Sequence, residues 1–127
     1  MAAALVAALA ASGCDDGAPA ENVTRIKVAN PHHDQLRALS EPMRRLALFR
    51  AVRDSGKRCK RVEAGRYQED HRGLAMWVAL CDDGRQWAVF IAPNADIQVR
   101  ACTEAAALDL PQCRPVAAPA PTVPPPG

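Results

Sequence analysis

The fold is decided by residues 74–92, which read LAMWVALCDDGRQWAVFIA. The run Leu74–Cys81 is almost entirely apolar, which is typical of a central strand that is buried on both faces. Asp82-Asp83-Gly84 is a turn signal of the Asp-Gly hairpin type, and the apolar run Gln86–Ala92 follows it. The stretch therefore predicts two buried strands that pair as an antiparallel hairpin.

Weaker strand patterns lie on both sides of this hairpin. Ile97–Ala101 alternates apolar and polar residues, and the turn residues 93–96 precede it. Cys59–Tyr67 alternates less clearly and is expected to reach the central hairpin through a loop near Asp70. Together these segments predict an antiparallel β-meander of three to four strands.

A helix is predicted before the sheet. Ser40 is a suitable N-cap, Glu41 and Pro42 suit a first turn, and Gly56 suits the position just after a helix. Residues 34–39 are expected to add one or two turns before it. The N-terminal helix would pack across one face of the meander.

A short C-terminal helix is predicted from Glu104 to Leu110, with Thr103 as its cap and Pro111 after its end. The sum of these elements is an α+β fold, with an N-terminal helix on a three- to four-stranded antiparallel meander and a short C-terminal helix. Trp77 and Trp87 are expected in roughly opposed positions on the two central strands. They would form core under the helix, or, on an exposed face, bind a glycan or a peptide.

The N-terminus has the pattern of a targeting signal. Residues 2–11 are apolar but are too few to span a bilayer, which takes about 20, and the stretch ends in Ala11-Ser12-Gly13-Cys14. This pattern resembles a bacterial lipoprotein signal with its lipobox. The resemblance implies cleavage before Cys14, attachment of lipid to its thiol, and a protein held at a membrane.

Two other interpretations of the N-terminus are open. An ordinary signal cut at Ala18-Pro19-Ala20 would leave a soluble periplasmic protein, and an Ala-rich helix would leave a cytoplasmic one. With the lipoprotein interpretation, the chain divides into a signal peptide (1–13), a lipidated N-terminus and tether (14–32), a disulfide-stabilised α+β domain (33–115) and a Pro/Ala-rich disordered tail (116–127).

The chain has five cysteines, so lipid on Cys14 would leave an even number in a small exported domain. That count predicts two disulfides among Cys59, Cys81, Cys102 and Cys113, for which three connectivities exist. The strand geometry favours Cys59–Cys81 with Cys102–Cys113. All four lie at one end of the sheet, so pairings such as Cys59–Cys113 stay open.

The net charge is only +2, but basic residues are concentrated in one segment. Between residues 44 and 61 a single acid, Asp54, accompanies eight basic residues: Arg44, Arg45, Arg50, Arg53, Lys57, Arg58, Lys60 and Arg61. Such a segment is either a solvated helix face with a polar turn or a surface for anionic lipid headgroups or another acidic partner. Nucleic acid is not expected as a partner outside the cytoplasm.

Residues suited to catalysis or metal binding are few. His32-His33-Asp34 could hold a metal with His71, but adjacent histidines point apart, so we expect a polar approach to a helix. His71 is expected in a solvated hairpin loop. The paired acids Glu69-Asp70 and Asp82-Asp83 lie in predicted turns. The sequence therefore predicts no catalytic residue, no metal site and no cofactor.

The spacing of Cys59, Tyr67, Trp77, the 81–84 turn and Cys102 is similar to that of small exported proteobacterial proteins without a known activity. We expect a membrane-tethered periplasmic lipoprotein, in the inner or the outer membrane, that acts as a non-enzymatic binding or scaffolding module. Its partners would be the membrane, through the lipid anchor, and an envelope protein or glycan. The alternative is a small envelope enzyme or metal-handling protein that uses His33 or His71 and nearby acids.

Overall fold

The computed structural model describes residues 28–119. Their sheet is a four-stranded antiparallel meander in the order β1-β2-β3-β4, which confirms the predicted α+β class. Its strands are β1 (Val62–His71), β2 (Leu74–Cys81), β3 (Gln86–Ile91) and β4 (Ile97–Ala101). The two most apolar segments of the sequence are thus the central strands, because only a central strand is covered on both faces and along both edges.

Two helices precede the sheet, α1 (Pro31–Ala38) and α2 (Glu41–Asp54). The Asn30 side chain caps α1 by accepting a hydrogen bond from the His33 N–H, and its amide donates to the carbonyl of Ile91 at 2.9 Å. Ser40 is the N-cap of α2 but makes no side-chain cap bond. Gly56 follows the end of α2 with φ +78°, a left-handed conformation that glycine adopts without steric cost.

Both helices pack on one face of the sheet, here called the helix face. Leu36 of α1 and Leu48 and Val52 of α2 join side chains of every strand in this core. The backbone of α2 can approach β1 closely because Gly65 has no side chain: a Cβ there would meet Leu48 Cδ1. The sheet members of the helix-face core include Val62, Trp77, Trp87, Val89 and Val99.

The second face of the sheet is covered by the C-terminal segment instead of a helix. Val116, with 5% of its surface exposed, joins Met76, Val78 and Phe90 in a separate core. The Gln86 amide exchanges two hydrogen bonds with the Val116 backbone. The packed chain therefore reaches the first residue of the predicted tail, and residues 120–127 lie outside the described part.

A β-bulge in β1 places a second glutamine, Gln68, in contact with the C-terminal segment. The register shift between Tyr67 and Glu69 leaves Gln68 as the extra residue on β1. Its amide donates to the carbonyl of Gln112 at 2.9 Å and accepts from the N–H of Arg114 at 2.8 Å. Two side-chain amides thus replace a neighbouring strand in fixing the backbone of residues 112–116.

Both disulfides are present, with the pairing that the sequence favours. Cys59–Cys81 joins the chain ahead of β1 to the end of β2, with Cα atoms 5.7 Å apart. Cys102–Cys113 closes the loop that leads from β4 into the C-terminal segment, with Cα atoms 5.6 Å apart. Each bridge holds a segment that is outside the regular hydrogen-bonded ladder.

Several boundaries differ from the expectation. The first strand continues to His71, and its hairpin turns at Arg72 and Gly73, both with positive φ, instead of near Asp70. The predicted C-terminal helix is only a 3₁₀ turn, Cys102–Glu104, followed by further turns. Asp109 has a φ of +54°, which interrupts a right-handed helix before Leu110. Helix α1 begins at Pro31, before the expected domain start at His33.

Candidate functional site

His33 is an internal packing residue. It is 3% exposed, and the Trp77 indole N–H donates a hydrogen bond to its Nδ1 at 3.0 Å. Its ring centroid also lies 4.5 Å from that of Tyr67. Because Nδ1 accepts this hydrogen bond it carries no proton, so the imidazole is neutral and this nitrogen is not available to a metal ion. His32 is exposed, and the two side chains lie in different environments, as expected for adjacent histidines.

His71 lies on the second face of the sheet. It is the last residue of β1, paired with Leu74, and its ring centroid is 6.2 Å from that of Phe90. The expectation of a solvated loop residue is wrong, because β1 extends to this position and half-buries the side chain. The sheet separates His71 from His33, so the two histidines cannot bind one metal ion. Within residues 28–119, no group of three or more metal-ligating side chains is placed to hold one.

The paired acids serve the turns and strand ends around them. Asp83 accepts a hydrogen bond from the Arg85 N–H at 2.9 Å, which fixes the β2–β3 turn. Asp82 accepts from the Lys60 N–H at 3.3 Å and so holds the chain beside the Cys59–Cys81 bridge. Asp70 accepts from the Tyr67 hydroxyl at 2.7 Å. The turn interpretation holds for Asp82-Asp83. It is wrong for Glu69-Asp70, because β1 continues through both residues to His71.

The phenol of Tyr67 has a strongly raised pKa. Burial raises the pKa of its phenol, and the hydrogen bond and negative charge of Asp70 raise it further, to about 12. Both causes favour the neutral phenol, which donates to the carboxylate. A phenol held neutral far above ordinary pH is a structural donor and is poorly suited to act as a base.

The two tryptophans lie on the helix face, on neighbouring strands. Trp77 pairs with Val89 and Trp87 with Ala79, so the rings are in diagonal positions and not directly opposed. Both are nearly buried in the helix-face core. Lys57 lies over the Trp87 ring, with its Nζ 5.7 Å from the centroid. The tryptophans therefore fill the interior, and an exposed stacking platform is absent from this pair.

Three of the eight basic residues bind backbone carbonyls or carboxylates of the domain. The Arg44 guanidinium donates to the carbonyls of Leu36, Arg37 and Leu39 at the end of α1, at 2.8–3.1 Å. Arg45 lies 3.7 Å from Glu41 and donates to a β1 carbonyl. Arg61 pairs with Glu63, and this contact raises the pKa of its guanidinium further. The sequence did not separate these fixed cations from the rest.

Of the other five basic residues, Lys57 lies over the Trp87 ring and the rest face solvent. Arg50 and Arg53 are exposed on α2, and neither forms an ion pair with an acid of the described chain. Met43, with 50% of its surface exposed, and Leu46, with 38%, lie on the same side of the helix. Their spacing of three and four residues puts all four in one stripe, opposite the buried Leu48 and Val52. We call this stripe, Met43, Leu46, Arg50 and Arg53, the outer face of α2.

A shallow groove adjoins the outer face. It has a volume of about 340 Å³ and lies between α2 and the chain that enters β1. Leu46 and Phe49 supply apolar surface, and Arg45, Lys60 and Arg61 supply positive charge. A groove of this composition suits a ligand with an anionic group next to an apolar one.

The basic segment is visible in the sequence, but its apolar half is not. Met43 and Leu46 lie among other apolar residues of the helix, so the sequence does not mark them as exposed. Their spacing from Arg50 and Arg53 was the available signal, because residues three, seven and ten apart share a side of a helix. Deciding between core and surface needed the packing of Leu48 and Val52 against Gly65 and the sheet.

The lipid-attachment residue, Cys14, and the signal lie outside the described residues. None of the helices in residues 28–119 has the length and apolar composition to cross a bilayer. The resemblances to the lipobox and to small exported proteins remain predictions. Comparisons with protein-family models, curated proteins and solved structures find no match for this chain.

Proposed function

We propose that the protein is a lipid-anchored module of the bacterial cell envelope, held at the inner or outer membrane by Cys14 and facing the periplasm. In this proposal it binds or scaffolds an envelope component and catalyses no reaction. Its partners are the membrane, through the anchor, and an envelope protein or glycan.

The observation that carries the proposal is the use of the cysteines. Both disulfides lie within the described domain and account for four of the five cysteines. Structural disulfides are typical of exported proteins and rare in reducing compartments. The cysteine left over is Cys14, directly after the short apolar run, where the lipobox pattern expects the lipidated residue.

The side chains also support a binding role over a catalytic one. His33, Asp70 and Asp83, three groups that sequence reasoning weighs for chemistry, each hold a neighbouring side chain or turn. Arg50 and Arg53, on the outer face of α2, are exposed and pair with no acid of the described chain, so they stay available to a partner. An exposed helix face suits an interaction with another large surface, whereas catalytic sites are concave.

A small envelope enzyme is the second candidate, and one cavity favours it. On the second face a cavity of about 240 Å³ is lined by His71, Arg72, Gln98 and Arg100 around Phe90. These groups suit a small anionic substrate, with His71 as the proton-transfer group. Titration with inorganic phosphate, followed by NMR of the His71 imidazole, tests this candidate. An unchanged spectrum at millimolar phosphate would count against it.

Cell fractionation tests the anchor. The unsubstituted chain is expected in the membrane fraction, and Cys14→Ser is expected to lose the anchor and to shift to another fraction. A Cys59→Ser/Cys81→Ser variant is the control, because it loses two cysteines but keeps the anchor. Release of the unsubstituted chain by osmotic shock would contradict lipidation and favour cleavage at Ala18-Pro19-Ala20. Recovery in the cytosol with free thiols would contradict export itself.

A further inference from the structure

We infer that the outer face of α2 binds the surface of an anionic phospholipid bilayer. The folded domain would then contact the membrane directly, in addition to its attachment through the lipid anchor. This inference names a second membrane contact for the proposed lipoprotein and so rests on the proposed function. The surface consists of Met43, Leu46, Arg50 and Arg53, with the adjoining groove at its edge.

The charge of the surface is the first step. Arg50 and Arg53 point away from the sheet and pair with no acid of the described chain, while Arg58 and Lys60 are exposed in the loop that follows α2. Each basic residue near a membrane strengthens binding to anionic headgroups by about fivefold in the binding constant. The only acid of the segment is Asp54, at the last position of α2.

The apolar side chains select a bilayer over an acidic protein. Met43 and Leu46 are two of the five large apolar residues that the described chain exposes, and both precede the arginines on one helix stripe. A helix lying in a membrane interface places apolar side chains below the headgroups and lets arginines reach the phosphates. An acidic protein surface would contact the charges but would gain little from these two side chains.

The groove gives one lipid a defined position. Arg45, Lys60 and Arg61 line it together with Leu46 and Phe49. A phosphate at its rim would meet Lys60, together with Arg45 and Arg61, which also contact Glu41 and Glu63. The first methylenes of the lipid would lie on the apolar side chains. The groove opens beside Leu46, so it and the outer face can contact the same bilayer.

The path of the chain agrees with this orientation. Helix α1 packs on the same face of the sheet as α2, and the described chain enters it through Asn30. The described chain therefore enters the domain at the helix layer. The C-terminal segment covers the opposite face.

The test uses the mature chain from residue 14 with Cys14→Ser, exported by an ordinary cleavable signal so that both disulfides form and no lipid is attached. Its binding is measured by co-sedimentation with vesicles of phosphatidylglycerol and phosphatidylcholine, and with vesicles of phosphatidylcholine alone. We expect binding to the anionic vesicles only, weakened by added salt.

Matched variants locate the contact. Arg50→Gln/Arg53→Gln should weaken binding about thirtyfold, and Met43→Ser/Leu46→Ser about tenfold. Arg66→Gln/Arg100→Gln removes the same charge from exposed residues on the strands and should leave binding unchanged. All of these side chains are exposed, and circular dichroism checks that each variant is folded.

Three results would overturn the inference. They are equal binding to neutral vesicles, an equal loss in the Arg66/Arg100 control, or binding that persists in Met43→Ser/Leu46→Ser and is displaced by polyglutamate, which would indicate an acidic protein partner. Failure here leaves the anchor untouched, because the probe carries no lipid. Absence of lipid on Cys14 would likewise leave a positive vesicle result standing.

Discussion

At the scale of single residues, a few side chains fix how the helices pack. Arg44 is the clearest case, because its guanidinium caps the last carbonyls of α1 and lies 5.7 Å from the Trp77 ring centroid. Carbonyls at a helix end have no partner within the helix, so a charged donor there replaces water. Arg44, the first residue of the basic segment, therefore fixes the end of α1 to α2.

Replacing Arg44 should destabilise the domain, whereas replacing Arg50 on the outer face should leave its stability nearly unchanged. We expect Arg44→Met to lower the unfolding free energy by about 1–3 kcal/mol, because carbonyls at the end of α1 lose a charged donor. Arg50→Met, the same change on the exposed side of α2, should stay within about 0.5 kcal/mol of the unsubstituted protein. Urea unfolding measures both, and equal losses would contradict the capping role.

Tyr67 offers a direct test of the contact with Asp70. It is the only tyrosine of the chain, so phenolate absorbance reports it alone. Its pKa should be about 12 in the folded protein and about 10 in urea. Asp70→Asn should lower the folded value but leave it above 10, because burial is the largest cause of the shift. A folded value near 10 would contradict the described packing.

The same shift predicts the direction of a pH effect on stability. Below about pH 10 the phenol is neutral in both states and contributes no pH dependence. As the pH rises from about 10 to about 12, the unfolded chain releases the proton first, so the unfolding free energy falls. Tyr67→Phe should remove this component of the fall.

At the scale of elements, the C-terminal segment is the unusual part of the fold. The sequence indicates a meander with a helix on one face, because strand alternation and helix caps are local signals. It does not indicate what covers the other face. That depends on Gln68 and Gln86 reaching backbone groups more than 25 residues away, which no local pattern encodes.

The two glutamines should act on different amides. Gln68→Ala should speed hydrogen exchange at the Arg114 amide about fivefold, and Gln86→Ala should do the same at Val116. Each variant is the control for the other, since the unaffected amide should change less. NMR exchange rates measure both. Equal effects on the two amides would indicate that the segment is released as a unit and not held at two points.

At the scale of the whole molecule, the domain is small and its disulfides supply a large part of its stability. Loop-closure arguments put the Cys102–Cys113 disulfide at about 3 kcal/mol, a large part of the 5–15 kcal/mol typical of a domain. Cys102→Ser/Cys113→Ser should therefore lower the unfolding free energy by about 3 kcal/mol in a urea titration at neutral pH. An unchanged midpoint would show that the glutamine contacts alone hold the segment.

Sequence and structure inform different parts of the functional account. The predicted localisation follows from residues 11–14 and from the number of cysteines. Both can be identified in the sequence without knowledge of the fold. The α2 surface needs the fold, because eight similar basic residues divide into fixed and exposed ones only after packing. The role of the histidines also needed the structure, since the sheet that separates His33 from His71 is not visible in their spacing.

The intact mass of the native protein from the membrane fraction, before and after reduction, tests the lipid anchor and the disulfides directly. The account predicts a chain that begins at Cys14 with two or three acyl groups and gains two hydrogens for each of its two disulfides. An unlipidated full-length chain whose mass does not change on reduction would contradict both the anchor and the export on which the account depends.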